Sequence, residues 1–245
     1  MTQKYGWFLA CLGCFIHAHA AEKQAAAPTL IEQAVIQAIA DMADAPRKEW
    51  SVQISHYENE EGDITTSIER YTPNKDTSQQ WSLLRINGKA PSNKQLKKFA
   101  KKKREQAENK AEGKSYSINF KTLIKPDSLQ LLNDNNSHAQ VGFKVHMEKL
   151  GDDAEGKLSG RLSYSKQHQY IEEITIVNNA EFSPMFSATI SDLRLSFNFI
   201  KLNETVLPQQ IEMRMKGSFA YFTEIDEVST TSYSDYQHIG KLLSE

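Results

Sequence analysis

The stretch that decides the fold is Asp192–Phe222, with the sequence DLRLSFNFIKLNETVLPQQIEMRMKGSFAYF. Apolar and polar residues alternate from Leu193 to Phe199 and again from Ile211 to Tyr221. Alternation with a period of two is typical of a β-strand with one face in a core and the other in water. We therefore predict a long antiparallel hairpin, with a polar connection over residues 202–210.

Composition indicates a folded protein without a general attraction for polyanions. The chain has 245 residues, of which 39% are hydrophobic and 24% charged, and its formal net charge is −2. This balance argues against wholesale disorder and against nucleic acid as a partner. The oligomeric state cannot be inferred from it.

The first 20 residues have the features of a secretory signal peptide. Lys4 precedes an apolar run, Trp7–Ile16, which is followed by the small-residue site Ala18–Ala20. The run is too short to span a bilayer, so we predict cleavage between residues 20 and 21 and a periplasmic product. Cys11 and Cys14 leave with this segment, so the mature chain would have no disulfide and no cysteine metal site.

An amphipathic helix is predicted after a low-complexity spacer, Ala21–Ala27, that follows the signal segment. Thr29 and Glu32 form a capping box, and Pro46 marks the end of the helix. The apolar residues at helical spacing are Leu30, Ile31, Ala34, Val35, Ala38, Ile39 and Met42. One face of the helix should therefore pack on the rest of the protein.

From Trp50 to Tyr236 the sequence predicts about ten strands without crossover helices. Such an order favours an antiparallel meander, and we predict a mainly β single domain over residues 21–245. One good helix cannot cover the apolar face of so large a sheet. The sheet is therefore expected to be strongly curved, as a half-barrel, or to be covered by a ligand or partner.

The predicted hairpin supplies the candidate residues of a ligand cavity. Unbranched and aromatic side chains, which adapt to irregular contents, are frequent on its apolar face. The predicted lining residues are Leu195, Phe197, Phe199, Met213, Met215 and Phe219. The alternative is that the same side chains form an ordinary core.

A lysine-rich segment follows a second capping box at Ser92 and Gln95. Its basic residues include Lys97, Lys98, Lys101, Lys102, Lys103 and Arg104. Because the bases precede the acids, the charge order opposes the helix macrodipole unless an anion neutralises the first half. We predict a lysine-rich helix over one face of the sheet that contacts an anionic membrane surface, the alternative being a solvated, frayed segment.

No catalytic or metal-binding signature occurs in the sequence. The patterns H-E-x-x-H, G-x-S-x-G and the phosphate-binding glycine loops are absent. The five mature histidines, which do not have metal-ligand spacing, are His56, His138, His146, His168 and His238. We therefore expect no catalytic residue, no metal, no cofactor and no enzymatic activity.

Several segments resemble the lipoprotein-localisation (LolA/LolB-like) superfamily and uncharacterised exported proteobacterial proteins that share its fold. They are RYTPNKDTSQQWSLLRINGKAPS at 70–92, KPDSLQLL at 125–132, VLPQQIEMRMKGSFAYFTEIDE at 206–227 and YSDY at 233–236. The resemblance implies a curved half-barrel with helices over its concave face and an apolar cavity between them. It supplies no site motif that can be transferred residue by residue.

The sequence thus leads to one functional hypothesis and two alternatives. The first is a periplasmic, non-enzymatic carrier of a lipid or other hydrophobic ligand, acting in envelope or lipoprotein trafficking. The alternatives are an interaction or assembly protein without a ligand, and a periplasmic hydrolase with an unrecognised site. For the hydrolase, His56 or His146 would have to lie beside a buried carboxylate.

Overall fold

The computed structural model describes residues 29–112, 118–147, 150–220 and 223–240. The predicted signal peptide, residues 1–20, lies outside the described residues, so its cleavage stays a prediction.

The first helix, α1, spans Leu30–Asp44 and begins as its sequence predicts. The Thr29 amide donates to Glu32 Oε2 at 2.7 Å, and the Glu32 amide donates to Thr29 Oγ1 at 3.2 Å. Leu30 at the start of the helix is 85% exposed and does not belong to the buried stripe. The buried residues of α1 are Val35, Ala38, Ile39 and Met42.

The mainly β fold is confirmed as one open, eleven-stranded sheet. Its strands are Trp50–Glu60 (β1), Asp63–Tyr71 (β2), Trp81–Ile86 (β3), Gln130–Asp134 (β4), His138–Lys144 (β5), Leu158–Ser165 (β6), Tyr170–Asn178 (β7), Phe182–Met185 (β8), Ala188–Leu202 (β9), Thr205–Phe219 (β10) and Thr223–His238 (β11). Two further helices are Asn93–Ala111 (α2) and Phe120–Leu123 (α3).

All strand pairs of the described sheet are antiparallel. The order is β3-β2-β1-β11-β10-β9-β7-β6-β5-β4, and β8 pairs with β9 outside this path. The chain therefore meanders from β4 to β11, and the first three strands join beside the last one. The edge strands β3 and β4 do not meet, so the sheet is a curved open layer rather than a closed barrel.

The predicted hairpin forms as β9 and β10, but the predicted connection over residues 202–210 is wrong. The turn contains only Asn203 and Glu204, whose φ angles are +45° and +61°. Positive φ at both central residues is typical of the type I′ turn, which matches the twist of the strands it joins. The strand continues through Pro208 by means of a bulge between Pro208 and Gln210.

The helices divide the sheet into two halves. We call β5, β6, β7 and β9 the covered half, because α1 and α3 pack against one of its faces. We call β1, β2, β3 and β11 the open half, and β10 lies between the two. The face against α1 is the inner face. Its buried residues in the covered half include Phe143, Leu162, Ile174, Ile176 and Phe197.

Paired residues lie on the same face of a sheet, so the pairing traces rows across the inner face. One row runs through Ile174, Phe197, Ile211, Thr231 and His56, from β7 to β1. The first two are buried and the last three are half-buried. Along this row the side chains change from apolar to polar as the cover of α1 ends.

Candidate ligand-binding face

The inner face has an apolar margin where the covered half meets the open half. We call the half-buried side chains Leu195, Ile211, Met213 and Met215 the boundary strip. Met213 lies beside Leu195 on one side and Ser229 on the other. The strip therefore separates a closed apolar core from a hydroxyl-rich open surface.

Two of the predicted lining residues belong to the core. Phe197 and Phe199 are 2% and 6% exposed. Both rings pack edge to face on Phe120 of α3, at centroid distances of 5.4 Å and 5.7 Å. Phe120 therefore fills the space in front of these two residues, which leaves Leu195, Met213 and Met215 as the predicted lining residues at the open margin.

Phe219, the last of the predicted lining residues, lies near the end of β10. Its side chain is 45% exposed, and it pairs with Ala188 and Thr223. A register shift between Lys216 and Gly217 separates it from the regular part of the hairpin. The shift is an extra residue in β9, and the pairing of β10 with β11 is unbroken, so Phe219 lies on the same face of β10 as Met213 and Met215, near the end of the strand.

Helix α2 lies on the inner face at the opposite margin, beside β3. Among its described side chains, Phe99 and Lys103 are half-buried and the others are exposed. Lys103 Nζ donates to Glu69 Oε2 at 2.6 Å and lies 3.6 Å from the centre of the Trp81 ring. Glu69 pairs with Ile54, which belongs to the inner face. The helix is thus attached through Lys103 and through Phe99, which lies one turn earlier.

The basic residues of α2 are placed as a charged outer surface, apart from Lys103. Lys97, Lys98, Lys102 and Arg104 are exposed, and Lys101 forms an exposed ion pair with Glu105 at 3.7 Å. The predicted anion-contact residues are therefore divided: five face solvent, and Lys103 attaches the helix.

His56 is the titratable group at the centre of the inner face. Its Nδ1 lies 3.1 Å from Thr231 Oγ1, and its Nε2 lies 3.9 Å from Glu69 Oε1. Burial is the largest cause that lowers the pKa of His56, and Lys103 and Lys102 act in the same direction. Glu69 and Glu58 oppose this shift. The polar side of the face therefore favours a neutral imidazole.

Carboxylates collect at the far end of the boundary strip. Glu227 pairs with Met215 on one side and with Glu60 on the other. Burial raises the pKa of Glu227, and the charges of Glu60, Glu58 and Glu61 add to the shift. An anion is therefore disfavoured at this end of the inner face.

Two clefts of the described surface lie away from the boundary strip. A polar cleft of ≈ 460 Å³ is bordered by His168, Tyr170 and Lys201 between two hairpin turns. An outer-face groove of ≈ 300 Å³ is bordered by Tyr57 and Ile68. Neither cleft is lined by a predicted ligand-binding residue.

Two negative findings hold for the residues that the structure describes. No group of three or more His, Cys, Asp or Glu side chains is placed to hold a metal ion. No described helix combines the length and apolar character needed to cross a bilayer.

Sequence reasoning missed the attachment of α2 and a half-buried cation near the start of β1. Lys103 interrupts the short apolar stripe of α2, which was a signal for an internal partner, but its pairing with Glu69 depends on tertiary structure. Arg47 is half-buried against Tyr233 and Tyr236. No sequence motif surrounds it.

Comparisons with known proteins do not establish a family. No protein-family model and no curated protein matches the chain. The chain is similar to a DUF1329 family protein from Desulfovibrio piger, with 8% identity, a TM-score of 0.34 and coverage of 86% of this chain and 94% of that one. It is also similar to a crystallisation variant of the GphF dehydratase, with 9% identity, a TM-score of 0.14 and coverage of 83% and 82%.

DUF1329 proteins belong to the LolA/LolB-like lipoprotein-binding fold class, the superfamily named from the sequence. These TM-scores are too low for either similarity to assign this chain to a family or a function. Its membership of the superfamily stays a prediction.

Proposed function

We propose that this protein is a periplasmic, non-enzymatic binding protein for a lipid or another amphiphile, held on the inner face between α1 and α2. The observation that supports the proposal is the boundary strip, where Leu195, Met213 and Met215 stay half-buried beside an uncovered polar surface. Such a margin matches a ligand that has both an apolar chain and polar groups. Trafficking of envelope lipids or lipoproteins is the process in which we expect this activity.

The chemistry of the strip favours a variable apolar ligand. Methionine is unbranched and polarizable, so it packs against contents of irregular shape. Covering the exposed parts of Leu195, Met213 and Met215 would remove apolar area from water, at about 25 cal/mol per Å². The ligand would thereby cover the apolar area that α1 leaves exposed at this margin.

The matched experiment is lipid analysis of the purified mature protein by native mass spectrometry. Met213→Gln with Met215→Gln is expected to abolish co-purifying lipid, whereas Arg214→Gln, on the opposite face of the same strand, should retain it. A wild-type protein that carries no lipid and binds none when it is offered would contradict the proposal. That result would favour an interaction or assembly protein without a ligand.

The proposal includes an anionic membrane surface as the partner of α2. The helix presents Lys97, Lys98 and Lys102 to solvent, while Phe99 and Lys103 hold it on the sheet. Each surface base contributes about 1 kcal/mol near an anionic leaflet. Anionic lipid would also offset the unfavourable order of charges along this helix.

Vesicle sedimentation tests this partner. Wild-type protein should bind vesicles that contain phosphatidylglycerol and should be released by salt. Glutamine at Lys97, Lys98 and Lys102 should reduce binding about ten-fold or more, given the contribution of each base. Binding that ignores salt and anionic lipid would contradict the proposal. The control changes three exposed lysines elsewhere: Lys48, Lys89 and Lys144.

A second candidate function, a hydrolase, is favoured by one observation. His56 lies between Thr231 Oγ1 and the mostly buried carboxylate of Glu69, the arrangement expected of a general base. However, Glu69 is 3.9 Å from His56 and is neutralised by Lys103 at 2.6 Å, so the carboxylate does not orient the imidazole. Ester hydrolysis that disappears in both Thr231→Ala and His56→Gln would favour this candidate.

A further inference from the structure

Arg47 is a half-buried cation for which the described residues supply no anion. It belongs to a short 3₁₀ turn, Arg47–Glu49, between α1 and β1. Its Nη2 donates to the carbonyl oxygen of Met42 in the last turns of α1. Its Nε is buried without a hydrogen-bond partner, and no ion pair to Arg47 forms within the described residues. Nη2 therefore has a hydrogen-bond partner, whereas Nε has none among the described residues.

The surroundings of Arg47 make the lack of a partner for its Nε destabilising. Burial lowers the pKa of Arg47, and the titratable neighbours that act on it are Tyr233 and Tyr236. The Tyr236 hydroxyl already donates to the Pro208 carbonyl at 2.7 Å. A buried charge or polar group without a partner destabilises the protein, unless another group binds to it.

A second donor without a partner lies close by along the chain. The indole Nε1 of Trp50 is buried and has no hydrogen-bond acceptor among the described residues. The Trp50 backbone N–H donates to the Arg47 carbonyl, and its ring packs edge to face on Tyr236 at 6.2 Å. Two donor side chains without acceptors thus adjoin the same tyrosine.

This region is continuous with the inner face described above. Tyr233 pairs with Ile54, and the next inner-face residues of β11 are Thr231 and Ser229. Ser229 pairs with Met213 of the boundary strip. From Tyr233 to Glu227 the strand extends roughly 20 Å, at about 3.4 Å per residue. Arg47 therefore stands at one end of the strip, and the carboxylates near Glu227 stand at the other.

We propose that Arg47 is the anion subsite of this face and binds the carboxylate or phosphate headgroup of an amphiphile whose chain lies along the boundary strip. A planar guanidinium forms charge-assisted hydrogen bonds with either anion. The carboxylates around Glu227 repel the same headgroup, so the two ends fix the direction of the ligand. The inference rests on the proposed function and adds the chemical class and orientation of its ligand.

The test compares headgroups of one chain length on the full mature protein. A neutral fluorescent probe, N-phenyl-1-naphthylamine, is bound first, and decanoate, decyl phosphate, decanol and inorganic phosphate are each then tested as competitors. On wild type, decanoate and decyl phosphate should displace it at about ten-fold lower concentration than decanol, the effect expected of a charge-assisted hydrogen bond. Inorganic phosphate alone should not displace it.

The variants separate the anion subsite from a structural role. In Arg47→Gln, decanoate should displace the probe only at the concentration that decanol requires. The concentration of decanol itself should be the same as for wild type. Arg70→Gln is the matched control, since it removes an arginine paired with Asp235 at 3.5 Å and should keep the ten-fold preference. If Arg47 only caps α1, Arg47→Gln would lower thermal stability without changing the ratio, and that result would overturn the inference.

The remaining outcomes are also decisive. Equal displacement by decanoate and decanol on wild type would overturn the subsite and leave the proposed function intact. Failure of the probe and of every alkyl compound to bind would overturn both. If inorganic phosphate competes as strongly as decyl phosphate, Arg47 binds a free anion. That result would overturn the inference that it binds the headgroup of an amphiphile. If Arg47→Gln does not fold, an unchanged ratio in Arg47→Lys would overturn the subsite, because lysine lacks the planar fork.

Discussion

The covered half and the open half belong to one sheet, but their inner faces have different chemistry. In the covered half the inner face carries Ile174, Ile176 and Phe197, all buried under α1 and α3. In the open half Thr231 and Ser229 are polar and half-buried, whereas Ile54 and Leu83 on the same face are apolar and buried. The difference teaches that the sheet requires less apolar cover than a count of its strands indicates.

The largest expected effect comes from the same substitution made in each half. Ile174→Ala in β7 removes a side chain that is 0% exposed and should lower the free energy of unfolding by about 3 kcal/mol. Ile64→Ala in β2 removes one that is 56% exposed and should change it by less than about 0.5 kcal/mol. Urea unfolding measures both. Ile64 lies on the outer face of β2, so equal losses would show that the outer face of the open half is covered in solution.

Glycine substitutions test the packing within the covered half. A Cβ on Gly160 would lie 2.1 Å from the Phe143 ring, whereas a Cβ on Gly142 would meet the Leu132 side chain at 3.3 Å. Gly160→Ala should therefore destabilise the protein by about 2 kcal/mol through overpacking. Gly142→Ala is the matched control, since the 50% exposed Leu132 can move away. Thermal or urea unfolding distinguishes the two.

The attachment of α2 to the open half should be weak enough to break by one substitution. Lys103→Met removes the ion pair to Glu69 and the cation over Trp81, which together contribute about 1 kcal/mol. Hydrogen exchange of α2 amides should accelerate while the strands of the covered half stay protected. Lys101→Met, at an exposed pair, should leave exchange unchanged. Unaltered exchange in Lys103→Met would contradict this attachment.

The smallest effect is a dependence of stability on pH that originates in the open half. The pKa of His56 is lowered in the folded protein, first by burial and then by Lys103 and Lys102. Between that lowered pKa and its ordinary value, the unfolded chain binds more protons than the folded one. Stability should therefore decrease as the pH falls through this window.

His56→Gln should reduce this dependence, and His168→Gln, at an exposed turn, should retain it. Urea unfolding at a series of pH values measures both slopes. A wild-type protein whose stability rises on acidification through the window would contradict the assigned direction. Lys103→Met should raise the pKa of His56, because it removes one of the charges that lower it.

Much of the fold could be predicted because its signals are local. The Thr29–Glu32 capping box, the stripe of α1 and the alternation of β9 and β10 each depend on residues a few positions apart. The Asn203-Glu204 turn was missed because it lacks the Gly that usually marks a type I′ turn. The pairing of β1 with β11 was also missed, since residues so distant in sequence leave no local pattern.

The candidate site was predicted only in part, for the same reason. Alternation identified Leu195, Met213 and Met215 as one face, but it could not show that Phe120 would cover Phe197 and Phe199. It also gave no indication that Arg47 would lie near enough to Tyr233 to interact with it electrostatically, because the two approach only when β11 joins β1.

The sequence by itself determined the mainly β class, the capped amphipathic helix and the two faces of each strand, because side-chain periodicity follows from backbone geometry. Only the tertiary structure decided which part of the inner face is covered. It also decided that Lys103 attaches α2 while its neighbours face solvent, and that a half-buried Arg47 stands at one end of the boundary strip. Burial depends on which distant elements meet, and the joining of β1 to β11 settled that here.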